Sequence, residues 1–218
     1  MLISLAVAAV VGYVVGSVPI GLLLGYVFGR VDVRTLGTGN PGASNIRHNL
    51  GLVPGGVAAI LTFVQGLGPP AVALALSHEG WVAVIAGIAA VVGNGWPVWL
   101  GFRGGRGVGV GTGASATLWL PGFVLLLAMF AAGWRLDKLA LASFVGFCAS
   151  AVLGMLVGNA QVKAFVLLLL AIIIARRLEG LSNDVASGPV RSLFLDRLFF
   201  DRRPGRALTG SAAAKKDG

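Results

Sequence analysis

Apolar residues run almost unbroken over positions 2 to 29, 52 to 76, 81 to 100, 107 to 132 and 139 to 175, with short polar stretches between them. A helix that crosses the hydrocarbon of a bilayer needs about 20 residues, so each run is long enough for a crossing. Two of the runs are interrupted. The stretch 139 to 175 is too long for one helix and carries Gly158, Asn159, Ala160 and Gln161 in its middle, which predicts a hairpin of two helices. The stretch 107 to 132 contains the turn pair Pro121-Gly122 and predicts a second hairpin, of shorter helices. The pattern thus predicts an all-α polytopic membrane protein with seven transmembrane helices; a five-helix chain would put the polar stretches on the same side only if each broken run were re-entrant. The first run has no basic n-region and is too long for a signal peptide, so it predicts a retained helix.

Composition agrees with lipid as the solvent. Only 11% of the 218 residues are charged and the mean hydropathy is +0.89, whereas about a quarter of a soluble domain is charged. The 34 glycines suit helices that pack backbone to backbone where no hydrophobic force joins them. The single Cys148, in an apolar run, reads as a packing residue and excludes a disulfide framework.

Charge then orients the chain. With seven helices, the polar stretches 30 to 51, 101 to 106, 133 to 138 and the tail from Arg176 share one side, and of the 17 Lys and Arg residues only Lys163 lies opposite. The positive-inside rule makes that side cytoplasmic, with an external N-terminus and a cytoplasmic C-terminus. The net charge of +9 therefore reports topology and anionic lipid, and no nucleic-acid partner is expected. Beyond position 180 the character changes. Residues 190 to 200 mix Leu193, Phe194, Leu198 and Phe199 with Arg191, Asp196 and Arg197, predicting an amphipathic helix on the membrane surface or on the bundle, followed by a basic tail. The expected division is a transmembrane domain over 1 to 180 and a cytoplasmic tail over 181 to 218.

Candidate chemistry gathers on the basic side. Residues 32 to 51 hold Arg34, Gly37, Thr38, Gly39, Asn40, Gly42, Ser44, Asn45, Arg47 and His48 between two membrane runs. Successive backbone N–H groups in glycine-rich turns form concave anion sites, and arginine adds a bidentate fork for phosphate oxygens. An ordinary turn-rich connector would have a similar composition. The second segment, 93 to 113, brackets Gly104-Gly105 with Arg103 and Arg106 and continues through alternate glycines into an apolar run. Its early members predict an anion site at a helix N-terminus, and its later glycines predict close helix packing. Asn94 reads equally as ligand contact or cap, and His78 as a loop residue. Two histidines so placed assemble no metal cluster and no nucleophile–base arrangement, so no metal and no cofactor are expected.

Together these segments resemble the acyl-phosphate:glycerol-3-phosphate acyltransferases of bacterial membranes, the PlsY family. That family's Gly-Ser-x-Pro, Arg-x-x-Gly-Ser-Gly-Asn-x-Gly-Ala-Thr-Asn and Gly-His-x-x-Pro…Phe-Lys-Gly-Gly-Lys-Gly motifs stand here as Gly16-Ser17-Val18-Pro19, Arg34 through Asn45, and Gly93 through Gly107. The resemblance implies seven helices, a bacterial cell membrane, a cytoplasmic active face, and acyl transfer from acyl phosphate to glycerol 3-phosphate to give lysophosphatidic acid. It implies that Ser17, Asn45, Arg47, His48 and Ser143 serve catalysis. Arg34, Gly37, Thr38, Gly39, Asn40, Gly42 and Ser44 would hold one phosphate, and Arg103, Gly104, Gly105 and Arg106 the other. Several family positions differ: Asn94 replaces a histidine, His48 an arginine, Thr62 and Gln65 an Asp and a Lys, Asp137 and Ala140 an Arg and a Ser, Arg177 and Gly180 a His and an Asn. Two alternatives follow, a relative that binds phosphorylated lipid without turnover, and a small anion or lipid transporter. The second lacks a visible intramembrane ion pair or inverted repeat.

Overall fold

The computed structural model describes residues 1 to 136 and 138 to 179; the expected tail, Asp137 and Gly180 lie outside the described residues. Among these the chain is helical and has no strand. Nine α-helices follow one another: α1 Leu2–Ser17, α2 Ile20–Gly29, α3 Ala43–Leu50, α4 Leu52–Ser77, α5 Gly80–Gly95, α6 Val108–Leu118, α7 Leu120–Arg135, α8 Leu139–Val157 and α9 Ala160–Leu178. Four stretches, Leu2–Gly29, Leu52–Ser77, Gly80–Leu100 and Leu139–Val157, are long and apolar enough to cross a membrane.

The breaks follow local chemistry. The run 139 to 175 divides at Gly158, with Asn159 capping α9 by accepting the Val162 N–H at 2.9 Å. The run 107 to 132 divides at Trp119, and Pro121 sits in the first turn of α7, where its missing N–H costs nothing. The first run divides as well, which the pattern does not predict. Val18 leaves helical geometry ahead of Pro19, as residues before proline do, and the orphaned carbonyls of α1 need another donor. Gln65 of α4 supplies it: its Nε2 donates to the carbonyls of Val15 at 2.8 Å, Gly16 at 3.0 Å and Val18 at 2.9 Å. Residues 43 to 50, expected as part of a loop, form the two-turn α3, because Ile46 is fully buried against Leu24, Val33 and Ala58.

Glycine makes the seams. α1 lies against α5 so closely that a Cβ on Gly16 would overlap the Ala90 backbone, and one on Gly93 the backbone of Tyr13. Gly66 and Gly113 play the same part between α4 and α6, meeting the backbones of Val110 and Phe63. Gly109 and Gly111 face Thr62 and Leu169, so the later alternate glycines are packing residues. The main core, with Val91, Val110, Leu126, Phe147, Phe165, Leu169 and Ile173, ties α5, α6, α7, α8 and α9 together.

Candidate active site

A cavity of about 500 Å³ opens at one end of the bundle. The break after α1, the start of α3, the 104–109 segment, the end of α7, the start of α8 and the end of α9 all line it. The polar segments that the sequence assigns to one face therefore meet around one space. Its polar lining includes Ser17, Asn40, Ser44, Asn94, Arg106, Ser143 and Arg177. Apart from Thr62, α4 and α7 contribute apolar side chains, among them Ile60, Phe63, Leu127, Phe130 and Trp134, and several of these are exposed.

Each polar group is fixed by identifiable contacts. Ser17 is almost fully buried; its Oγ donates to the Val14 carbonyl at 2.8 Å and accepts from Trp99 Nε1 at 2.9 Å. Ser143 Oγ donates to the Ala140 carbonyl at 2.8 Å and accepts from Arg177 Nη2 at 3.0 Å. Arg177, only 2% exposed, also donates Nη2 to the Ala140 carbonyl and lies 5.0 Å from the Phe144 ring. It places a cation inside the cavity beside Ser143, at a position where the resemblance implies a histidine and which the site residues inferred from sequence omit. A doubled arginine at the end of an apolar helix was the available signal, but it reads more simply as a membrane flank.

The expected phosphate loop takes a different part. Asn45 is buried and its amide is already engaged: Nδ2 donates to the carbonyls of Val33 at 3.0 Å and Leu36 at 3.1 Å, while Oδ1 accepts from the Thr38 N–H at 3.0 Å and from Asn49 Nδ2 at 3.1 Å. It fixes the loop and does not reach into the cavity. Gly37 and Gly39 adopt positive φ to make that turn. Arg34 grips Asp32 with Nε and Nη2, the latter at 2.6 Å, outside the cavity. That bidentate hydrogen bonding holds the Asp32 carboxyl below the usual carboxylate range. Asn40, Gly42 and Ser44 do line the cavity, whereas Arg34, Gly37, Thr38 and Gly39 do not.

Further expectations change. Arg47 packs its guanidinium over the Trp134 ring at 4.1 Å, bridging α3 to α7 behind the cavity wall, and His48 is exposed. Arg103 is exposed and outside the cavity, while Arg106 lines it. Gly104 and Gly105 line it too, but their N–H groups are spent on the Gly95 carbonyl at 3.1 Å and the Asn94 carbonyl at 2.9 Å. They cannot form the expected backbone nest. What they provide is close approach: a Cβ on Gly104 would overlap Asn94 and Pro97.

Among the described residues that line the cavity, none is a histidine, carboxylate, cysteine or lysine. The cavity offers cations, hydroxyls, amides and an apolar flank, which suits an amphiphile with a phosphate head.

The comparisons with known proteins agree with that chemistry. The family model described as glycerol-3-phosphate acyltransferase matches residues 6 to 183. A glycerol-3-phosphate acyltransferase of Rubrobacter xylanophilus is 43% identical over 123 residues, covering 56% of this chain and 60% of the relative's length. One from Listeria monocytogenes serotype 4a is 31% identical over 164 residues, covering 73% of this chain and 82% of its own. The crystal structure of PlsY (YgiH), an integral membrane glycerol 3-phosphate acyltransferase, in its glycerol 3-phosphate form, superimposes with a TM-score of 0.71 at 29% identity, over 85% of this chain and 93% of that one. Its lysophosphatidic acid form gives a TM-score of 0.69 at 27% identity.

Proposed function

The chain belongs to the glycerol-3-phosphate acyltransferase family, and on that premise we propose that it moves an acyl group from acyl phosphate to glycerol 3-phosphate within a membrane. The observation that carries the reading is the cavity, where Arg106 and Arg177 share a wall with Ser17, Ser44 and Ser143 and face an apolar flank between α4 and α7. Two phosphate-bearing substrates need cations; a fatty chain needs the flank.

The chemistry fits the cations, hydroxyls and amides that the described residues supply to the wall. The acceptor's primary hydroxyl attacks the carbonyl carbon of the mixed anhydride, forming a C–O bond and a tetrahedral oxyanion. Collapse breaks the anhydride C–O bond and the departing phosphate takes the electron pair, and the hydroxyl proton ends on it as hydrogen phosphate. Because the donor is already activated, the protein's contribution is to hold the two reactants together and to stabilise developing charge. Arg106 and Arg177 neutralise the phosphates. Asn40, Ser44 and Ser17 supply neutral hydrogen-bonding partners, and Ser143 is oriented by Arg177. Arg34, Gly37, Thr38, Gly39 and Asn45 hold the loop that presents Asn40 and Ser44.

The same reading places this end of the bundle at the cytoplasmic face of a bacterial cell membrane, with seven crossings and an external N-terminus. Both ends of the α6–α7 pair return to the cavity, and likewise those of α8–α9, as hairpins require. The Lys and Arg residues gathered at that end support this orientation through the positive-inside rule.

The test is purified protein in lipid, supplied with acyl phosphate and glycerol 3-phosphate. Product that disappears in Arg106→Ala and Arg177→Ala, while both variants remain folded, supports the assignment. Binding of both substrates without product in the wild type would instead mark a silent relative.

A further inference from the structure

Arg176 precedes the cavity-lining Arg177 by one residue, yet its contacts are with a different part of the site. Its Nε donates to the Gly105 carbonyl at 3.0 Å and its Nη2 to the Gly104 carbonyl at 2.9 Å. Its Nη1 pairs with Glu179, and the guanidinium lies 5.1 Å from the centre of the Trp96 ring. The side chain is only 7% exposed. The N–H groups of the same two glycines are held by the Gly95 and Asn94 carbonyls at the end of α5. The Gly104-Gly105 strip is thus gripped on both sides, its donors by α5 and its acceptors by α9. Arg106 is the next residue and lines the cavity.

A planar guanidinium that meets two successive carbonyls fixes their spacing and their tilt together. A lysine ammonium is a point charge on a flexible stem and fixes neither. Arg176 has no place in the cavity wall, so its effect on a ligand must pass through the residue that it orients.

We infer that Arg176 is a positioning residue: by clamping the Gly104 and Gly105 carbonyls it sets where the Arg106 guanidinium meets a substrate phosphate, and so how tightly the cavity holds that phosphate. The inference rests on the phosphate-binding reading of the cavity and assigns a residue outside it to the same anion site.

The experiment uses the full chain in lipid nanodiscs, comparing wild type with Arg176→Lys and Glu179→Gln. Arg176→Lys keeps the charge and loses the two-point grip. Hydrogen bonds from a charged group contribute enough that KM for one phosphate-bearing substrate should rise roughly tenfold or more, with kcat within about twofold. Glu179→Gln leaves both carbonyl contacts in place and should leave KM unchanged. An Arg176→Lys protein with unchanged KM overturns the inference, as does one that loses thermal stability and active fraction together at constant KM, the signature of a purely structural arginine.

If the wild type transfers no acyl group, the acyltransferase reading fails on its own, and the clamp is read by calorimetric titration with octyl phosphate. Roughly tenfold weaker binding in Arg176→Lys then supports it, and equal affinity overturns it. A wild type that binds no octyl phosphate removes the anion site and the clamp's role with it.

Discussion

Gln65→Leu tests how the break after α1 is held. Gln65 sits inside α4 with 6% of its surface exposed, and its Nε2 is the donor that the carbonyls of Val15, Gly16 and Val18 share. Val15 and Val18 also accept from the Val18 and Ile20 N–H groups, so Gly16 is the carbonyl that depends most on the amide. The substitution removes two N–H donors and keeps the volume. Each interhelical hydrogen bond in a membrane protein contributes about 0.6 kcal/mol on average, while a buried carbonyl left unsatisfied costs about 1–3 kcal/mol. The expected loss is therefore about 1–4 kcal/mol. Equilibrium unfolding of purified protein in mixed micelles, followed by tryptophan fluorescence, measures it. The change should also loosen Ser17, whose hydroxyl accepts from Trp99, so a cysteine introduced at Ser17 should label faster in the Gln65→Leu background. Gln65→Lys, which returns three donors to the carbonyls, should recover the slow labelling. Wild-type stability together with unchanged labelling in Gln65→Leu would refute the capping argument.

Other consequences are equally direct. Asn45→Ala should destabilise the protein by about 1–3 kcal/mol, because four hydrogen bonds of a buried amide are lost while the Val33 and Leu36 carbonyls keep the Leu36 and Gly39 N–H groups; thermal unfolding and substrate affinity should fall together. The Asp32 carboxyl is depressed by Arg34, so its contribution is present above the unfolded-chain value and is lost only as pH falls through the lower folded value. Amide exchange in residues 32 to 42, corrected for its intrinsic pH dependence, should stay protected through the ordinary carboxylate range and fail below it, and Asp32→Asn should remove that pH step. Gly16→Leu would drive a side chain into the Ala90 backbone, and should abolish accumulation of folded protein as judged by size-exclusion chromatography.

The pattern of apolar runs made most of the helices legible, including the Gly158-Asn159 turn; the expected turn pair Pro121-Gly122 instead lies in the first turn of α7, and the break falls earlier, at Trp119. The division at Pro19 was hidden because the flanking residues are uniformly apolar and the donor that stabilises it, Gln65, comes from another helix. α3 was hidden for the opposite reason: Ser44, Asn45 and Asn49 favour caps and turns, and burial of Ile46 overrides them. In the site, residue types were readable and their aim was not. Arg103 and Arg106 are equivalent in sequence, but only Arg106 follows the clamped glycine pair into the cavity. The glycines of that pair read as an anion nest until their N–H groups are seen bonded to Asn94 and Gly95. Gln65 carries no charge but supplies the donors for the three carbonyls at the α1 break.

The central claim is acyl transfer in the cavity that holds Arg106 and Arg177, and its most direct measurement is product stoichiometry. Purified protein in lipid nanodiscs, given acyl phosphate and glycerol 3-phosphate, should release inorganic phosphate and lysophosphatidic acid in equal amounts, with phosphate release dependent on the acceptor. Phosphate release without lysophosphatidic acid, or no release while both substrates bind, would contradict it.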